Sequence, residues 1–208
     1  MKGHNDFIVH IPKKYQDTIT TKGGAEIHLD RRFSGKELAN NVFEVIHTPV
    51  TYNGDIKPGY RLLVDPIVVH TQKFQKWGEE ENQYLVDKEK DLYRINTSLI
   101  VCYSQGEGTK FVGFENNLIC KKVKIESAEK ELKKVGSIFV PDMSKAQAKD
   151  TAYLEILIGN DKLKKEDIHE GDYVYHTKHG GIDITINQKT YIWFRNHHII
   201  GKHVKQSA

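Results

Sequence analysis

Residues 132–159 read LKKVGSIFVPDMSKAQAKDTAYLEILIG. An apolar triplet, Ile138-Phe139-Val140, sits in the middle of this stretch. Gly136 precedes it, and a long polar tract follows, with Asp142, Ser144, Lys145, Gln147, Lys149 and Asp150. A strand pattern opens at Tyr153. The triplet is either a short core strand or an apolar anchor displayed on a segment that otherwise reads as a loop.

The totals limit what the chain can be. Its 208 residues suffice for one large domain or two small ones. Charged residues make up 28% and hydrophobic ones 38%, the balance of a globular protein rather than a disordered one. Net charge is 31 − 28 = +3, too small an excess to give the basic stripe that nucleic acid requires. The two cysteines, Cys102 and Cys120, supply neither a disulfide framework nor zinc-ligand spacing, so a reducing, cytoplasmic setting is expected. MKGHNDFIVH (1–10) lacks the apolar core of a secretory signal, and no apolar run has the length of a membrane span.

Short runs rich in β-branched and aromatic residues dominate the chain. DFIVHIP, NVFEVIHT, YRLLVDPIVVHT, LYRINTSLIVCY, NLICKKVKI, YLEILIG, DYVYHT, GIDITIN and TYIWFRN are each bounded by Gly, Pro, Asn or Asp and read as strands. SAEKELKKV reads as a charged connector, because short isolated helices are marginal in water.

The second half of the chain falls on the first. FIVHIP (7–12) lies over LICKKV (118–123), and 118 − 7 = 111. Ile27 meets Ile138, and Glu44 meets Glu155, at the same offset (138 − 27 = 155 − 44 = 111). Gly59 meets Gly171 at 171 − 59 = 112. LYRINTSLIV (92–101) falls on YIWFRNHHII (191–200) at an offset near 100, so the first copy holds extra residues, placed in FQKWGEEENQ (74–83). A near-constant offset across separate motifs is the mark of a duplication. SQGEGTK (104–110) is the polar joint, which sets domains at 1–104 and 110–208.

Each copy shows an opening strand, a segment with an apolar triplet, a strand with a central Glu, a turn with Gly, and an Ile-rich last strand. In this order the chain resembles the GroES co-chaperonins. The second half carries VGSIFVPDMSKAQAKD, YLEILIG, IHEGDYVYH and HHIIG; the first carries GGAEIHLD, VFEVIHT, IKPGYRLLV and TSLIVCY. The resemblance implies an all-β protein of two tandem GroES-like small β-barrels, similar in layout to the double co-chaperonin of chloroplasts. It also implies a GroEL-type chaperonin as partner, a homo-oligomeric ring with sevenfold contacts, and no catalytic chemistry or cofactor of its own. The partner-binding residues it points to are Ile27, His28 and Leu29 in the first copy and Ile138, Phe139 and Val140 in the second. The loops that carry them, 20–38 and 133–150, are expected to be the most mobile segments.

The residues themselves fit that role. Alternate side chains of an extended segment point to opposite faces, so Ile27 pairs with Leu29, and Ile138 with Val140, for entry into an apolar groove. Pro141 biases Val140 towards an extended backbone. Burying one aliphatic side chain contributes about 1.5–3 kcal/mol. Ordering a loop costs about 1–2 kcal/mol per residue, so one loop binds weakly and several on one assembly bind well. His28 stands where the family has an aliphatic residue, which makes the first loop the weaker anchor. HTPVTYNGDIKPG (47–59) and GNDKLKKEDIHEG (159–171) are shorter than the family's roof hairpin.

Other clusters point elsewhere less well. In a strand, His176 and His179 point to opposite faces, and no HExxH motif or Cys/His quartet accompanies them or His197-His198. GEEE (78–81) reads as a solvated turn tip. G-x-S-x-G is absent, and Gly23-Gly24 lacks the Lys-Ser/Thr of a phosphate loop. Two other classes stay open: a structural protein such as a virion component built on the same barrels, and a GroES-like domain of the type that opens zinc alcohol dehydrogenases. The second lacks its metal ligands here.

Overall fold

A computed structural model describes residues 3–15, 17–21, 23–30, 38–70, 73–74, 80–123, 132–135, 138–141, 153–177, 180–186 and 189–203. The first half holds β1 (Phe7–His10), β2 (Thr18–Thr20), β3 (Glu26–His28), β4 (Val42–His47), β5 (Arg61–Val64), β6 (Lys73–Phe74), β7 (Glu80–Glu81), β8 (Leu85–Asp87), β9 (Leu92–Ile95) and β10 (Ile100–Ser104). The second holds β11 (Val112–Gly113), β12 (Asn117–Lys122), β13 (Leu132–Val135), β14 (Ile138–Pro141), β15 (Leu154–Ile158), β16 (Tyr173–His176), β17 (Ile182–Ile186), β18 (Lys189–Arg195) and β19 (Ile199–His203).

Two large antiparallel sheets form, ordered β11-β10-β5-β4-β1-β9-β8 and β17-β18-β12-β15-β16-β19. Leaving β11 aside, the second order is the first read backwards, strand for strand. The registers repeat too. Ile8 pairs His47 and Ile119 pairs Ile158 (119 − 8 = 158 − 47 = 111), each beside a bulge at the next residue. Val9 faces Tyr93 as Cys120 faces Ile192 (192 − 93 = 99), and Leu62 faces Tyr103 as Val174 faces Lys202 (174 − 62 = 112; 202 − 103 = 99). Even the turn before the third strand repeats. Gly59 donates its N–H to the Val45 carbonyl and Gly171 to that of Ile156, both at 2.8 Å, with φ of 85° and 86°. That left-handed backbone is where glycine costs least.

Each sheet curls round its own core. Phe7, Val9, Phe43, Val45, Leu62, Tyr93 and Ile95 fill the first. Their counterparts Leu118, Cys120, Leu154, Ile156, Val174, Ile192 and Phe194 fill the second. Alternation along each strand sends these residues to one face. On the opposite face a third core joins the halves: Leu63, Val101 and Cys102 pack with Ile119, Ile184 and Trp193, all buried. Buried Asn117 fastens it, donating Nδ2–H to the Ile100 carbonyl at 2.9 Å and accepting the Trp193 indole N–H at 3.0 Å. Gly113 donates to the Gly159 carbonyl at 2.8 Å, and a Cβ on Gly113 would lie 2.1 Å from the Asn117 carbonyl oxygen. Burial holds both thiols protonated, with Cys120 pushed up to about 12 and Cys102 further.

Several expectations change. Closed barrels were expected; both sheets are open, and among the described residues no ladder joins their ends. At one end of the first sheet β8 has three residues and at the other β11 has two, too little strand to close a barrel. In the second, β17 turns to the other half instead of to β19: Ile184 enters the shared core, and the Thr185 carbonyl accepts from Asn41 Nδ2 at 3.4 Å. The run YRLLVDPIVVHT (60–71) is not one strand. After β5 it becomes a short helix, α1 (Ile67–His70), because Pro66 fixes its own φ and Asp65 Oδ1 accepts the Ile67 N–H at 2.9 Å. Likewise 159–171 holds a helix, α2 (Asp161–Lys165), capped by Asn160 Oδ1 on the N–H groups of Lys162 and Leu163, both at 3.1 Å. The connector SAEKELKKV ends in a strand, β13; residues 127–131 lie outside the described residues. In the 74–83 insertion β6 pairs β7, which places Glu80 and Glu81 in a strand, while Trp77 lies outside the described residues. Asn82 Nδ2 ties its end to the Val68 carbonyl of α1 at 2.7 Å.

Asn117→Ala removes the bond across the joint to Ile100 and the bond from Trp193, and leaves a carbonyl and an indole N–H buried without partners. Thermal and denaturant unfolding should show a loss of about 1–3 kcal/mol, whereas Asn116→Ala, on the exposed turn beside it, should change stability little.

Candidate functional site

The anchor candidates lie on two hairpins, each inserted between the first two long strands of its half. The first is β2–β3, with Thr18 opposite His28, Ile19 opposite Ile27 and Thr20 opposite Glu26. Its turn is closed by Thr21, whose N–H reaches the Ala25 carbonyl at 2.8 Å while its Oγ1 accepts the Ala25 N–H at 3.1 Å. Gly24 adopts φ 82° there, open to solvent. The base is held by a bridge between Tyr15 and Ala39 and by Asn40, whose N–H and Nδ2–H reach the carbonyls of Lys14 (3.0 Å) and Lys13 (3.1 Å).

Ile27 is 50% exposed at the centre of β3, and Glu26 and His28 are exposed beside it. Leu29 follows in extended continuation, its N–H on the Asp17 carbonyl at 2.7 Å, and is half-buried. His28 Nδ1 lies 3.4 Å from Thr18 Oγ1. The first triplet is therefore neither an irregular loop nor a core strand. It belongs to a two-stranded ribbon on which Ile27 faces solvent.

The second hairpin is β13–β14. Its ladder pairs Leu132 with Pro141, Lys133 with Val140, Lys134 with Phe139 and Val135 with Ile138. All of the second triplet thus stands on one paired strand. Residues 136–137, 142–152 and 31–37, which complete the expected loops, lie outside the described residues.

Strand alternation does not by itself foretell two side-chain clusters on the second half. Tyr153, Tyr175 and His203 meet at the rim of its sheet: Tyr175 Oη lies 3.2 Å from both Tyr153 Oη and His203 Nδ1. His176 and His198 flank Phe194, and His197 stands beside His198 with ring centroids 4.1 Å apart; His198 Nδ1 lies 3.1 Å from Thr177 Oγ1. His179 lies outside the described residues. Among those described, no group of three or more His, Cys, Asp or Glu is placed to hold a metal ion, and no helix is long and apolar enough to cross a membrane.

With the geometry in place, one comparison bears on it. Residues 115–203 match the family model of the chaperonin 10 kDa subunit, the GroES family. The match runs from the turn before β12 to the end of β19, so it takes in the whole second sheet and the β13–β14 hairpin. This half of the chain is GroES-like.

Two outcomes follow from the geometry. Ile27→Asp should leave the melting temperature nearly unchanged, because a half-exposed position on a free-standing ribbon contributes little burial; a large drop would place Ile27 in a core. His198 titrates below its ordinary 6.5 through partial burial, then the nearby His197 and Arg195. The unfolded chain therefore takes up its proton first as pH falls, and stability drops with acidification from about 6.5. His198→Gln should flatten that part of a melting-temperature profile.

Proposed function

We propose that the chain is a co-chaperonin built from two GroES-like units in tandem, which caps a GroEL-type chaperonin through its paired hairpins. The observation that carries this reading is the family match at 115–203, which spans a hairpin bearing the triplet Ile138-Phe139-Val140. The like strand order and register of the first half, with Ile27 exposed on a hairpin at the corresponding place, extend it to both copies.

In this reading the chain performs no covalent step. The chaperonin hydrolyses ATP, and the hairpins dock into apolar grooves on it, each weakly, so that closure depends on several acting together. A homo-oligomeric ring provides that multiplicity.

The test pairs binding with folding. Ile138→Asp and Val140→Asp should each abolish capture by a nucleotide-loaded GroEL-type chaperonin, since a carboxylate in an apolar groove costs several kcal/mol. Melting curves of the variants should match the parent. Retained capture with an unchanged melt removes the anchor role, and a collapsed melt assigns the triplet to a core. Recovery of the chain within purified virus-like particles, with no chaperonin bound, would favour the structural class instead.

A further inference from the structure

One ion pair of the second half is replaced by two aromatic rings in the first. Lys202 of β19 extends its ammonium to Asp172 Oδ2 at 2.8 Å and to the Asp167 carbonyl at 2.9 Å, with Asp167 Oδ2 at 4.0 Å. The backbone around this pair repeats. Asp172 donates its N–H to the His169 carbonyl at 3.2 Å, and its own carbonyl accepts the Ile156 N–H at 3.0 Å. Tyr60 does the same with Lys57 at 3.1 Å and Val45 at 2.8 Å. Lys202 faces Val174 as Tyr103 faces Leu62. Asp55 stands four residues before Gly59, as Asp167 stands before Gly171. The first half thus keeps the outer aspartate but has Tyr60 for Asp172 and Tyr103 for Lys202 (167 − 55 = 172 − 60 = 112; 202 − 103 = 99).

The rings of Tyr60 and Tyr103 stand with planes 10° apart and centroids 6.4 Å apart, and Phe114 meets Tyr103 edge-on at 6.3 Å. Both tyrosines are half-buried, and Asp55 is exposed. Burial raises the titration of Tyr103, and the Asp55 carboxylate is near enough to raise it further, as it does for Tyr52. The Tyr52 ring lies over the turn, where a Cβ on Gly54 would come within 2.3 Å of its hydroxyl. Among the described residues no cation is paired with Asp55. Lys164, whose charge reaches Tyr103, is held by Asp161 at 2.9 Å, and exposed Lys57 enters no ion pair there.

We propose that Tyr60, Tyr103 and Asp55 bind an alkylammonium group from outside the chain, the group that a lysine side chain or a free polyamine carries. The second half supplies the precedent for the occupant, since it fills the same place with its own Lys202. In the first half the faces of two rings and one carboxylate offer negative potential at that place, and the lysine that would answer it is missing from the sequence position. The rings also exclude water, which strengthens a nearby ammonium–carboxylate contact. A hard metal ion fits poorly here, because it requires several oxygen ligands and the place provides one carboxylate. The inference goes beyond capping and does not depend on a chaperonin.

The test uses the full chain alone, with no chaperonin present. Nα-acetyl-lysine methylamide is titrated into it while the tyrosine ring signals are followed by NMR. Two probes without the charge run alongside, the Nε-acetylated form and the norleucine analogue. The lysine probe should shift the Tyr60 and Tyr103 signals at millimolar concentration, and the neutral probes should not. Asp55→Asn and Tyr103→Ala should each weaken binding roughly tenfold. Asp55 is exposed, so its variant keeps the readout intact should loss of the half-buried ring at 103 lower the melt. Tyr60→Asp combined with Tyr103→Lys, which copies the second half, should fill the place from within and abolish binding. Cadaverine separates the two sources: tighter binding than the lysine probe assigns the site to free polyamines, and weaker binding assigns it to a protein side chain. The proposal is overturned by a parent that gives no saturable shift, by equal shifts from the norleucine analogue, or by undiminished binding in Asp55→Asn.

Discussion

The packing of one sheet's outer face on the other's decides the form of this protein. A small antiparallel sheet ordinarily buries one face and wets the other. Here β5 and β10 are buried on both: Leu62 and Val64 face the core of the first half while Leu63 faces the second half. Neither half alone would cover Leu63, Val101, Ile119 or Trp193, so the halves stabilise each other. Truncating a buried Trp typically costs about 3–5 kcal/mol, a large part of a domain's net stability. Asn117 adds direction to this apolar contact, since its two hydrogen bonds are satisfied only when β10 and β18 lie in this one arrangement. The joint at 104–110 is therefore a tight return from β10 to β11, rather than a linker between independent beads.

The internal repeat was readable because strand pairing preserves spacing. A shift of one residue between paired strands would turn every side chain to the wrong face. Offsets of 111, 112 and 99 thus hold in register as well as in sequence (119 − 8, 174 − 62, 192 − 93). Sheet closure was not readable. It depends on where the end strands go, and β17 is drawn to Asn41 and the shared core by contacts over a hundred residues apart in sequence. Nor was α1: Ile67-Val68-Val69 is strand-forming by composition, and the local cap at Asp65-Pro66 overrides that preference. The shared core did leave a signal in the unbroken apolar runs LLV (62–64) and IVC (100–102), all of them buried, where a half-wet strand would alternate. The Tyr153–Tyr175–His203 and His176–His198 clusters left none, because each draws side chains from three or more separate strands or turns.

The two copies act as controls for each other. Where both place the same kind of residue, as with Val45 and Ile156 or Gly59 and Gly171, the position serves the sheet itself. Where they differ, the difference marks what each half faces. Val64 and Leu99 of the first half belong to a core that also takes in Val68 and Val69 of α1. Their counterparts in the second are His176 and His198, at the end of a sheet that has no such helix among its described residues. Polar rings suit a rim in contact with water, and aliphatic side chains suit a covered one. The same logic separates Val101 from Ile200, except that there the exposed residue is the apolar one.

The hairpins alter the energetics of the docking proposed for them. If each triplet sat on an irregular loop, binding would have to fix its backbone, at about 1–2 kcal/mol per residue. Three residues would then cost as much as one or two buried aliphatic side chains contribute. Pairing of Ile27 with Ile19, and of Ile138, Phe139 and Val140 with Val135, Lys134 and Lys133, fixes that extended backbone beforehand. What docking must still order is the ribbon as a whole on its base at Tyr15 and Ala39. That is a smaller cost, shared among all the residues of the ribbon. A lone two-stranded ribbon is itself marginal in water, so the preordering is partial. In the proposed capping role, a single hairpin would then bind while staying weak enough to release, and the number of hairpins engaged at once would set how firmly the chain holds.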